Sequence, residues 1–492
     1  MKYYSTRNKS NKASSAQAIA QGLASDGGLF VPETIPQVSP EEILELCKMN
    51  YQERAVCIMS KYLDDFTVDE LRGFVKKAYS SNFDCAEIAP VRFLDSNTGV
   101  LELWHGPTCA FKDMALQMLP LLLTASLKKL GEAREVCILV ATSGDTGKAA
   151  LQGFADVDGT SIVVFYPRDG VSDIQKLQMT TQSGKNVFVC AVEGNFDDAQ
   201  TGVKKIFGDR EFAEKLDEKG FFLSSANSIN WGRLLPQIVY YFSAYCDFVN
   251  SGKLKMGEKI DFCVPTGNFG DILAGWYAQK MGLPIRKLIC ASNSNNVLTD
   301  FIKTGIYDKN REFFATISPS MDILVSSNLE RLLFMLSDDT SVKQWMDELK
   351  TTGKYDVGAK VLEDIARDFD AGYCTDAEAK QSIKALFEQT DYLIDTHTAD
   401  ALAVLNKIRA DGEAFPCVVV STASPFKFCD SVLDALGKSD TVSGGNLIST
   451  LSSVSKVQAP TPLTGLDGRE VRFKNCVPKD KMPDTVMSFL IK

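Results

Sequence analysis

From about residue 98 the chain repeats one pattern, a short apolar run of strand length followed by a helical stretch. The runs are VCILVAT (136–142), SIVVFYP (161–167), NVFVCAV (186–192), FFLSSA (221–226), IDFCVPT (260–266), KLICAS (287–292) and CVVVST (417–422). Strands covered on both faces read as continuous apolar runs, and intervening helices return the chain in the same direction. The pattern predicts an α/β fold with parallel sheets in two subdomains, and a cleft between them at the carboxyl ends of the strands. Residues 1–92 predict a separate, small, mostly helical domain. In it Ser39, Pro40 and two glutamates open SPEEILEL (39–46), and Leu71, Phe74, Val75 and Ala78 recur at helical spacing in TVDELRGFVKKAY (67–79). Residues 93–492 form the main domain. Within it, about 320–392 is expected to lack strands, because NLERLLFMLS, SVKQWMDELK and AEAKQSIKALFEQ read as amphipathic helices of an insertion.

Composition narrows the function. The 492 residues are 45% hydrophobic and 24% charged, which is globular. A net charge of −10 and no basic tract argue against nucleic-acid binding, whose affinity comes largely from phosphate neutralisation. An anionic ligand must then be held by locally placed donors. No apolar run approaches the roughly 20 residues of a membrane span, and the polar start MKYYSTRNKS has no secretory core. The 13 cysteines are scattered without a C-x-x-C pair. Cys137, Cys190 and Cys417 fall in apolar runs, as reduced thiols of a cytoplasmic protein do. The two histidines, His105 and His397, are too few for a histidine-based metal site, and no metal is expected.

Four stretches carry chemistry. PTGNFGD (265–271) follows an apolar run and opens a helix, so Gly267 and Gly270 would let an anion approach the backbone while N–H groups of the helix start face it. ATSGDTG (141–147) has the same placement. It fails as a nucleotide P-loop, because two residues rather than four separate Gly144 from Gly147 and Ala149 replaces the hydroxyl that would hold magnesium. Lys112 lies in WHGPTCAFKDM (104–114). Alone, a lysine beside an aspartate is usually a solvated pair. With two anion cradles downstream, it suits an amine that forms a Schiff base with an anionic cofactor. NSINWGRLLPQ (227–237) adds Ser228, Asn230 and Arg233 beyond another strand. An arginine fork matches a phosphate ester, with a helix-surface charge as the competing reading of Arg233.

With SDGGLFVPE (25–33), SPSMDI (318–323), DTHTADAL (395–402) and STASPFKF (421–428), these blocks resemble the pyridoxal-phosphate enzymes of the tryptophan-synthase-β-like fold (fold type II), and among them the threonine synthases. The resemblance covers nearly the whole chain. The blocks at 105–113, 227–237 and 265–271 belong to threonine synthases rather than to the wider fold. It departs at Ser424 and Phe426, where the family pattern reads T-A-H-P-A-K-F.

The resemblance implies that 93–492 is a catalytic domain in which Lys112 carries pyridoxal 5'-phosphate. Gly267, Asn268, Phe269 and Asp271 would hold the cofactor phosphate, and Thr422 its ring nitrogen. Thr142, Ser143 and the backbone of Gly144, Asp145 and Thr146 would receive a substrate α-carboxylate, which requires Asp145 to point away or be paired. Ser228, Asn230 and Arg233, with Lys148 as a further candidate, are assigned to a substrate phosphate. The implied substrate is O-phospho-L-homoserine, converted with water to L-threonine and phosphate, with no obligatory protein partner. One alternative is another lyase of the same fold, threonine dehydratase-like or β-replacing, which needs no second phosphate site. Another is a catalytically silent ligand-binding relative. His105 caps or positions the lysine turn, or is structural; His397 is structural or supports the site from behind.

Overall fold

The computed structural model describes residues 1–142, 144–168, 171–410, 412, 415–439 and 446–491. Each of the seven apolar runs forms a strand, and the strands divide between two sheets. The first sheet is parallel throughout, in the order Cys476–Val477, Val187–Val192, Thr160–Pro167, Glu135–Ala141, Phe221–Ser224. The second runs Phe369–Tyr373, Ile285–Ser292, Ile260–Pro265, Cys417–Ser421, Thr98–Glu102, Val91–Phe93, with the last pair antiparallel and the others parallel. Thr160–Pro167 and Ile260–Pro265 are buried at every position, which is why their sequences show no polar alternation. Among the described residues no helix is long and apolar enough to cross a membrane.

The segment at about 320–392 departs from its expectation. Helices Leu329–Leu336, Asp339–Thr351, Gly358–Asp368 and Asp376–Thr390 do form. The segment is not strand-free, however: Lys354–Asp356 pairs with Ile306–Asp308, and Phe369–Tyr373 is an edge strand of the second sheet. That edge strand, FDAGY, buries only Phe369 and Ala371, so it lacks the apolar run that marks an inner strand.

The N-terminal unit holds its helices with four reciprocal caps, Ser14 with Gln17, Ser39 with Glu42, Asn50 with Glu53 and Thr67 with Glu70. A three-stranded antiparallel sheet, Tyr3–Ser5 between Asn8–Ala13 and Phe30–Pro32, completes it. The expected boundary at 92 falls inside strand Val91–Phe93. Trp231 packs its ring 5.5 Å from both Tyr3 and Tyr62, and buried Arg331 donates to the carbonyls of Phe30 and Ile229. The unit is thus seated on the start of helix Trp231–Asn250.

Strand order explains how distant motifs meet. Ile260–Pro265, Cys417–Ser421 and Thr98–Glu102 are neighbours pointing one way, so 265–271, 421–428 and 105–113 leave the sheet side by side. In the other sheet, Glu135–Ala141 and Phe221–Ser224 are parallel neighbours, and they release 141–147 and 227–237. Both sets are carboxyl-end loops, where parallel sheets place their ligand sites.

Candidate active site

The Lys112 loop is tied to the 421–428 segment by backbone. Ala110 bridges to Ala423, Phe111 N donates to Thr422 O at 2.8 Å and Ser424 N to Cys109 O at 3.0 Å. Thr422 is therefore beside the lysine turn. Buried Asp113 accepts from Thr108 N and Oγ1, each at 2.8 Å, which closes the turn. His105 lies between Asp84 (2.6 Å) and Glu102 (2.9 Å). Burial disfavours its charge, but the two carboxylates prevail and raise its pKa to about 9. It is a protonated clamp at the loop entry, which favours the structural reading. The Lys112 amine stands 3.7 Å from Asp145 Oδ2 and 4.8 Å from the centre of the Phe111 ring. Burial lowers its pKa, with Asp145 opposing the shift.

In the turn at 141–147, Thr142 Oγ1 accepts from Gly144 N at 3.0 Å and Gly147 N at 2.9 Å. Gly144 sits at φ +145°, a conformation that favours glycine. Thr146 is half-buried, and Ser143 lies outside the described residues. Asp145 is buried and paired, as a carboxylate-binding turn demands: Oδ1 accepts from Lys427 Nζ at 3.0 Å and Gln175 Nε2 at 2.8 Å. Burial alone would raise its pKa; Lys427 and Lys112 together bring it well below the usual carboxylate range.

The turn at 265–271 differs from its sequence rationale in one respect. Neither Gly267 nor Gly270 is left-handed; Phe269 is, at φ +63°. A Cβ on Gly267 would meet Ser320 O at 2.7 Å, whereas on Gly270 it would rest 3.4 Å from Asn328 Nδ2. Gly267 is thus required by a covering strap of protein. The strap is held by Ser326 Oγ donating to Gly267 O at 2.8 Å and Asn328 N to Asn268 O at 3.0 Å. His397 supports it from behind, accepting from Ser320 N at 3.2 Å through Nε2 while Nδ1 faces Asp395 at 2.8 Å. Asp271 Oδ1 accepts from Tyr240 at 2.6 Å and Tyr241 at 2.8 Å; burial pushes its carboxyl up to about 6.

These residues fit a phosphate-bearing cofactor. Helix Gly270–Lys280 begins without a side-chain cap, leaving its first N–H groups for another acceptor. The buried Asp271 Oδ2 has no hydrogen-bond partner among the described residues, and its easily protonated carboxyl tolerates a neighbouring anion.

Arg233 is not a surface charge. It is 3% exposed, its Nη1 donates to Ala226 O at 2.8 Å, and its buried Nε has no hydrogen-bond partner among the described residues. Burial draws its pKa down to about 10, so it remains a cation at neutral pH. It also lies close enough to Lys112 to disfavour that amine's charge. Asn230 is engaged structurally, capping helix Trp231–Asn250 at Gly232 N (2.8 Å) and donating to Ile19 O at 2.9 Å. Ser228 Oγ accepts from Asn328 Nδ2 at 3.3 Å. Lys148 is buried against Gln182, with Gln152 at 3.4 Å; burial first, then Lys427, brings its pKa to about 7. Within the 421–428 block the local pattern points to Thr422 and not to Lys427. A usable signal existed, since a lysine flanked by Phe426 and Phe428 is poorly placed for solvent.

The sequence matches three families in chain order: "Threonine synthase N terminus" over 2–79, "Pyridoxal-phosphate dependent enzyme" over 100–423 and "Threonine synthase, C-terminal" over 398–486. The Saccharomyces cerevisiae threonine synthase is 40% identical over 465 residues, covering 88% of this chain and 89% of its own. This chain belongs to the threonine synthase family of pyridoxal-phosphate-dependent enzymes. The human relative named threonine synthase-like 1 is 43% identical over 86% of this chain, which spans 58% of that relative's length. A PLP-bound threonine synthase crystal structure from Brucella melitensis superposes with a TM-score of 0.88 at 37% identity, covering 100% of this chain and 98% of its own. For a member of this family, Gly267→Val should weaken pyridoxal-phosphate binding at least tenfold in an absorbance titration, because the strap cannot close. Gly270→Ala should change it little. Equal losses in both would sink this account of the turn.

Proposed function

We propose that the chain is a cytosolic threonine synthase, converting O-phospho-L-homoserine and water to L-threonine and phosphate. The observation that carries this reading is a buried Arg233 that has no carboxylate partner among the described residues and acts electrostatically on Lys112. A lyase without a second phosphate to bind gains nothing from burying such a cation. The 13 free cysteines, 12 of them buried or half-buried, suit a reducing compartment.

The substrate's phosphate is on the γ carbon, so direct displacement by water would give homoserine. Threonine requires that protons leave Cα and then Cβ, that phosphate leave Cγ and a proton be returned there, and that water then add at Cβ with a proton returned to Cα. When bound, pyridoxal phosphate supplies the electron sink that makes the α proton acidic. Lys112 would link to the cofactor and, once freed by the substrate's amine, act as the base. Its burial favours the neutral amine that can accept a proton. The first N–H groups of helix Gly270–Lys280, with Gly267, Asn268, Phe269 and Asp271 around them, would hold the cofactor phosphate, and Thr422 its ring nitrogen. The 142–147 turn would hold the α-carboxylate. Arg233, with Ser228, would hold the departing phosphate, while Asn230 fixes the helix that carries Arg233.

The test is incubation of the pyridoxal-phosphate-loaded protein with O-phospho-L-homoserine, measuring phosphate and threonine together. Equal molar release of both is expected. Phosphate with 2-oxobutyrate in place of threonine would instead assign a dehydratase-like lyase, and no turnover would support the silent relative.

A further inference from the structure

Near the half-buried Lys112 amine lies a buried lysine that the reaction above does not use. Lys427 is fully buried, and its three donors are all engaged: Thr108 O at 2.8 Å, Gln178 Oε1 at 2.9 Å and Asp145 Oδ1 at 3.0 Å. Gln175 takes the same Oδ1. Gly144 makes that possible, since a Cβ there would stand 2.5 Å from the Gln175 amide. Asp145 is thus fixed through one oxygen, and its other oxygen faces Lys112 at 3.7 Å, beyond direct hydrogen-bonding distance. A carboxylate so placed attracts the amine without capturing it.

The geometry points to Lys427 and Asp145 as a positioning pair: Lys427 neutralises the buried carboxylate so that the 142–147 turn can accept a second one from the substrate, and Asp145 sets the place and charge of the Lys112 amine. The first half rests on the substrate assignment above; the second requires only that Lys112 be an accessible amine. Asp145 opens helix Asp145–Phe154, where the macrodipole favours an anion. Two carboxylates at that helix start repel each other unless a cation stands by, and Lys427 is the cation bonded to Asp145 Oδ1. The charged groups acting on Lys112 are Asp145, Arg233 and Lys427, with Asp271 in electrostatic reach. Asp145 favours the charged amine; Arg233 and Lys427 disfavour it.

Two measurements on the full-length protein test the pair. In cofactor-stripped protein, the pH dependence of reductive methylation of Lys112 is followed by peptide mass spectrometry. Asp145→Asn should move the onset of Lys112 reactivity to lower pH, and Lys427→Met should move it to higher pH. In the loaded protein, Lys427→Met should raise the KM for O-phospho-L-homoserine about tenfold or more, because an unneutralised Asp145 then repels the incoming carboxylate. The double variant should bring KM back towards wild type, and Asp145→Asn alone should lower it. A Lys112 titration unmoved by Asp145→Asn overturns the second half. A KM raised by Asp145→Asn overturns the first. If Lys427→Met does not fold, Asp145→Asn and the double variant, which removes both members of the buried pair, decide both. A wild-type protein that makes no threonine defeats the proposed activity, while the methylation titration still reads the pair.

Discussion

Lys112→Ala should abolish turnover, with kcat falling by more than about 10⁴-fold, since proton transfer by a placed base alone contributes about 10²–10⁴-fold. The same amine is assigned both the link to the cofactor and the proton transfers, so no neighbouring group supplies the remainder. Lys427 cannot substitute, because its three donors are held by Thr108, Gln178 and Asp145. Lys148, brought to about 7, is the one competitor with the right chemistry. Borohydride reduction of the loaded wild-type protein should place the pyridoxyl mass on the peptide containing Lys112. A label on the Lys148 peptide would reassign the site. Lys112→Arg should be as inactive as alanine, because a guanidinium keeps the charge but neither links to the cofactor nor gives up its proton at neutral pH. A functional arginine variant would mean that residue 112 contributes charge alone.

The inner strands were legible because burial on both faces leaves an uninterrupted apolar run, as in Thr160–Pro167. The edge strand Phe369–Tyr373 was not, since an edge needs no such run. Lys112 and the two glycine turns were legible because their chemistry is local, a strand end opening a helix. What the sequence hid was pairing across the fold. Asp145 had to be paired or turned away, but that its partner is Lys427 depends on two sheets bringing their carboxyl ends together. Gly267 carries the same lesson. Its sequence suggests room for an anion, and the structure shows Ser320 pressing on it from a strap whose backbone is held by buried His397. Asn230 lies in a block read as phosphate-binding, and its amide instead joins the helix start to Ile19 of the N-terminal unit. Local pattern identifies which segments matter. Which side chain within them is free for a ligand is decided by long-range contacts.

Arg233→Ala should leave the cofactor's absorbance spectrum and affinity intact while lowering kcat/KM for O-phospho-L-homoserine by about ten- to over a hundredfold. That range corresponds to losing one charge-assisted contact of about 1.5–3 kcal/mol. The expectation follows from an arginine that is 3% exposed and, among the described residues, has an unpartnered Nε and no carboxylate beside it. Burying a guanidinium in this way is costly without an anion to answer it, and the substrate phosphate is the anion the reaction brings. Because burial leaves its pKa at about 10, the charge persists through the neutral range, and no loss of this contact is expected between pH 6 and 8. Inorganic phosphate should inhibit the wild-type protein competitively and the alanine variant much less. Arg233→Lys should recover part of the activity, since a point charge restores attraction but not the planar fork. Thermal unfolding of the loaded variants separates a lost contact from a damaged fold: a stable Arg233→Ala protein with wild-type kcat/KM and unchanged phosphate inhibition would transfer the phosphate role to Lys148.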